Sequence, residues 1–95
     1  MSLTLLFTVE DAFQITGRGC TLVPGPEVRE PKLRVGDPIR LLRPDGRTID
    51  THVYGIEMIH RRPPPKVVTT PILLPKEITS DQVPIGTRVL LVRDQ

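Results

Sequence analysis

The sequence predicts an all-β fold, a single six-stranded antiparallel closed β-barrel spanning residues 1–95, and three observations predict it. Ten Val, eight Ile and ten Thr stand against one alanine, Ala12. β-branched side chains suit a pleated surface, and Ala is the best helix former, so this balance excludes a helical bundle. Eleven prolines and seven glycines punctuate the chain, so its elements must be short and joined by turns. Between these breakers lie six short apolar runs, several alternating with a period of two, as half-buried strands do. Closing six such strands on themselves removes their exposed edges. At 95 residues there is room for one domain and none for a two-lobed nucleotide-binding fold.

Leu3, Leu5, Phe7 and Val9 alternate with Thr4, Leu6, Thr8 and Glu10, which predicts the first strand with the former four on one face. Gly17-Arg18-Gly19 follows as a tight turn or bulge. Cys20 to Val23 is the second strand. Residues 24–38 form a Pro-rich loop, and Val35-Gly36-Asp37 leads into a third strand, Ile39 to Arg43. Pro44-Asp45-Gly46 is the strongest turn signal: Pro presets φ, Asp bonds the local backbone and Gly accepts positive φ. The return strand runs from Thr48 to Ile59. Its parity changes from Ile49 and Val53 to Ile56 and Met58, which predicts a β-bulge at Gly55. A second Pro-rich loop, residues 61–66, must leave the sheet because proline donates no ladder hydrogen bond. Val67 to Leu74 is the fifth strand. Thr79 and Gln82 have capping-box spacing for one helical turn before Pro84, and Thr87 to Arg93 is the last strand.

The net charge is +2, concentrated in residues 18–66, where ten Lys and Arg face six Asp and Glu. That is a mildly basic middle, short of the dense stripe of a dedicated nucleic-acid domain. Phe7, Phe13 and Tyr54 are the only aromatic residues on which a base could stack. The single cysteine, Cys20, cannot form an internal disulfide and reads as a small buried hydrophobe. The opening residues lack the basic flank of a signal peptide, and no apolar run reaches the length of a membrane span. The expectation is a cytoplasmic protein without membrane contact.

Candidate chemistry is sparse. Gly17-Arg18-Gly19 lacks the Lys-Ser/Thr ending and following helix of a phosphate loop. His52 and His60 would lie about 26 Å apart on a regular strand, too far to share a metal ion. Asp50 and His52 can share a strand face, but no serine flanks them to make a nucleophilic site. The residues therefore predict a non-enzymatic protein with neither metal nor cofactor.

Glu10-Asp11-Ala12-Phe13-Gln14-Ile15-Thr16-Gly17-Arg18-Gly19 resembles the opening of the second domain of elongation factor Tu. In order along the chain, Val35-Gly36-Asp37, Gly55-Ile56-Glu57-Met58, Ile72-Leu73-Leu74, Glu77-Ile78 and Gly86 are similar to later stations of that domain. The resemblance implies a six-stranded barrel without its GTPase domain, and so no GTP hydrolysis. It implies a stand-alone binding module for a protein partner, such as a GTPase or another translation component, with Glu10, Asp11, Phe13 and Arg18 as binding residues. The family's pocket threonine and asparagine fall on Val23 and near Thr69. The alternative is an RNA- or tRNA-binding module in which Arg40, Arg43, Arg47, Arg61 and Arg62 contact phosphates.

Overall fold

The computed structural model describes residues 1–27, 33–57 and 68–93. Among them, eight strands form two four-stranded antiparallel sheets, and neither sheet closes into a barrel. The single closed six-stranded barrel expected from the sequence is thereby corrected. The first sheet has the order β1 (Ser2–Thr8), β8 (Arg88–Arg93), β4 (Pro38–Leu42) and β5 (Thr48–His52). The second has β2 (Asp11–Ile15), β3 (Gly19–Val23), β7 (Ile72–Leu73) and β6 (Gly55–Ile56). Closure needs a continuous ladder around the ring, and the two-residue strands β6 and β7 are too short to carry one.

The inner faces of the sheets share one core. Phe7, Ile39, Leu41, Val89 and Leu91 from the first sheet meet Cys20, Leu22 and Ile72 from the second, joined by Val9, Val53, Leu74, Ile78 and Val83. β4 and β8 show why the sequence folds this way: Ile39, Leu41, Val89 and Leu91 are buried, while the alternate residues point outward. Each such side chain contributes roughly 1.5–3 kcal/mol when fully buried. The β4–β5 hairpin turns where expected. The Arg43 N–H donates to the Arg47 carbonyl at 2.8 Å, the Gly46 N–H to the Arg43 carbonyl at 2.9 Å, and Gly46 has φ 87°.

Three strand expectations change. The first strand carries a bulge: Leu5 pairs with Leu90 and Phe7 with Val89, so Leu6 is the extra residue. A one-residue insertion reverses facing. Leu3 and Leu5 therefore point outward, 44% and 54% exposed, while Phe7 and Val9 point into the core. The predicted return strand from Thr48 is two strands rather than one bulged strand. Val53 bonds the first sheet side, its N–H donating to the Asp37 carbonyl at 3.0 Å; Tyr54 bonds the second, its N–H donating to Leu73 at 2.9 Å. The parity change at Gly55 thus marks a passage between sheets; Met58 and Ile59 lie outside the described residues. Among the described residues of the expected fifth strand only β7 is formed, preceded by an isolated bridge between Thr69 and Glu27; Val67 lies outside the described residues. β2 is a strand that periodicity did not indicate.

A 3₁₀ turn, Ser80–Gln82, forms at the expected capping-box position, where the Gln82 Oε1 accepts the Thr79 N–H at 2.9 Å. The Ser80 N–H donates to Gln14 Oε1 at 2.9 Å, which ties this turn to β2.

Candidate functional site

Among the described residues, β1 forms one edge of the first sheet, with β8 as its neighbour. Ser2–Thr8 contains no charged residue and no proline to guard that edge, which leaves the bulge at Leu6 as the guarding feature within the strand. Beside this edge runs a groove of about 410 Å³ between the Leu5–Thr8 stretch and a wall formed by Pro24, Gly25, Pro26 and Thr69. Gly25 holds that wall in place: its φ is 85°, and any Cβ there would collide with the Thr70 carbonyl. On the outer face of the same sheet, Leu3 and Leu5 lie opposite the half-buried Val92 and Leu90. The edge, the groove and this apolar strip together form the most coherent candidate surface.

Of the residues that the resemblance marks, Glu10 alone lines this groove. Its N–H donates to the Val23 carbonyl at 2.9 Å, which fixes the crossing from β1 to β2. Asp11 and Phe13 share a face of β2 opposite Val23 and Thr21. The Asp11 carboxylate accepts the neighbouring Ala12 N–H at 2.8 Å, and Phe13 is 52% exposed. Arg18 sits in the β2–β3 turn, its N–H donating to the Ile15 carbonyl at 3.0 Å. Four residues of extended chain, about 13 Å, separate Asp11 from the end of β2 at Ile15. Arg18 therefore forms no ion pair with Glu10 or Asp11 among the described residues.

The basic middle is largely neutralised where it is described. Arg40 donates to Asp50 across the β4–β5 pair at 2.7 Å, and this hydrogen bond, followed by the carboxylate's charge, raises the guanidinium pKa. Arg43 and Arg47 lie 3.7 and 3.9 Å from the Asp45 carboxylate in the hairpin turn. Arg61 and Arg62 lie outside the described residues, as do His60 and the loop at 61–66. Asp50 faces Arg40 rather than building a dyad with His52. Cys20 is buried in the core, and desolvation pushes its thiol pKa up.

Sequence reasoning missed a second hollow, about 460 Å³, where the chain passes between sheets. Arg18, His52, Tyr54, Leu73, Lys76 and Glu77 line it. It draws on three distant stretches of chain, so no local spacing announces it. Among the described residues, no three His, Cys, Asp or Glu side chains are grouped to hold a metal ion, and no helix is long and apolar enough to cross a membrane. Comparison with protein-family models, with curated proteins and with solved structures finds no match to this chain.

Proposed function

We propose that this chain is a non-enzymatic, cytoplasmic binding module that engages a protein partner, by adding an extended segment of that partner to the edge of β1. The observation that carries this reading is the uncharged, proline-free edge found among the described residues: the seven residues of β1, exposed Leu3 and Leu5, and a groove alongside. Backbone hydrogen bonds along such an edge supply affinity, and alternate side chains in the groove supply selectivity. The Glu10–Gly19 motif supports a partner from the translation machinery, such as a GTPase. RNA binding through the basic middle has less support, because Arg40, Arg43 and Arg47 already face carboxylates.

The test substitutes Leu5→Lys, which places a charge on the exposed edge without touching the core. Capture from cell extract should recover a translation component or GTPase with the wild type and lose it with the variant, while the melting temperature stays within about 2 °C. Equal recovery by both proteins would remove β1 from the interface. Recovery that collapses between 50 and 200 mM salt and depends on RNA would favour the phosphate-binding alternative.

A further inference from the structure

The hollow between the sheets has a charge pattern that the β1 edge lacks. Arg18 and Lys76 are both exposed there, and among the described residues neither side chain has an ion pair or hydrogen bond. This distinguishes them from Arg40, Arg43 and Arg47, each within 4.0 Å of a carboxylate. Glu77 lines the same hollow, so its Arg, Lys and Glu side chains together carry one net positive charge. Tyr54, 58% exposed, supplies a ring, and Leu73, 8% exposed, supplies an apolar floor. Arg18 and Leu73 also line an adjoining hollow of about 350 Å³, where Ile56 extends the apolar surface and Glu57 adds a carboxylate. The volume falls within the range of small-ligand sites.

We infer that this hollow binds a carboxylate monoanion carried on an aromatic body. A guanidinium presents a planar fork of donors that matches a carboxylate, and Lys76 adds a second positive charge. The ring of the ligand packs against Tyr54 and Leu73. A single net positive charge complements a monoanion better than a phosphate dianion, against which Glu77 would work. Two sources offer this chemistry: a free aryl carboxylic acid, and the terminal carboxylate of a peptide ending in Phe.

The test is an NMR titration of the whole chain with 3-phenylpropionate, and with a short peptide ending in Phe as free acid or amide. The expected result is a shift of the amides of Arg18, Tyr54 and Lys76, with affinity lowered about tenfold or more in Arg18→Ala and in Lys76→Ala. Glu77→Gln should tighten binding, and Tyr54→Phe should retain it. Arg18→Gln serves as a second variant if Arg18→Ala folds poorly. Tighter binding of the free-acid peptide than of the small acid assigns the site to a chain terminus; the reverse order assigns it to a free acid. The proposal is overturned if neither probe shifts these amides, if Arg18→Ala binds as the wild type does, or if 3-phenylpropanol binds equally well. It is also overturned if phenyl phosphate binds more tightly than the carboxylates.

Discussion

Gly46 and Gly25 have nearly the same φ, 87° and 85°, but very different surroundings. A Cβ at Gly46 would meet nothing within 4 Å, whereas one at Gly25 would strike the Thr70 carbonyl and crowd Pro71. Gly46→Ala should therefore lose only the conformational term, about 1 kcal/mol, or roughly 4–8 °C in melting temperature. Gly25→Ala must displace backbone as well and should lose at least twice as much. Thermal melts compare the two, and equal losses would mean that φ alone governs both. Cys20 gives a prediction in pH. Its folded-state pKa is raised above the ordinary 9.0 by desolvation, so below that value both states hold the proton and stability is independent of this group. Above it the unfolded chain ionises first, and stability falls as pH rises towards the folded value. Cys20→Ala, though less stable overall, should lose less stability than the wild type between pH 8.5 and 10, as melts across that range would show. Parallel curves would mean that the buried thiol is not a source of the slope.

At the scale of elements, the bulge in β1 decides which leucines meet solvent. Leu6→Ala removes one partly buried side chain and should cost about 1–2 kcal/mol. Deleting Leu6 removes the bulge but leaves Leu5 opposite Leu90 and Phe7 opposite Val89, now as consecutive residues on opposite faces. That deletion should therefore keep Leu3 and Leu5 outward and Phe7 inward, and melt cooperatively, close to Leu6→Ala. Loss of a cooperative melt in the deletion variant would show that β1 needs the extra residue for more than facing. The bulge was not legible in the sequence, since Leu3, Leu5, Leu6 and Phe7 are all apolar and support either facing. The β4–β5 hairpin was legible because Pro44-Asp45-Gly46 and the alternation of Ile39 and Leu41 agree. β2 was not, because of its five residues only Ala12 and Ile15 are even half-buried. Of the candidate site, the sequence marked Glu10 and Arg18 one at a time. It could not show that Arg18 lies with Tyr54 and Lys76, because that depends on how β3 pairs with β7 and where β6 begins.

On the scale of the whole molecule, two open sheets share one core, and the link between them at residues 53 and 54 is short. The Val53 amide is bonded on the side of the first sheet and the Tyr54 amide on the side of the second, at 3.0 and 2.9 Å. Val53 is itself fully buried in the shared core. Neither sheet can separate from the core without pulling on one of these consecutive amides. The two layers should therefore open as a single cooperative unit rather than as two. In hydrogen exchange with deuterated water, the amides of Val53 and Tyr54 should exchange at matching rates, close to the slowest in the protein and equal to those of Leu41 and Leu22. Faster exchange at Tyr54 than at Val53 would show the second sheet opening by itself. A chain that switches layers between adjacent residues thus makes its own seam a reporter of cooperativity, readable from two neighbouring amides.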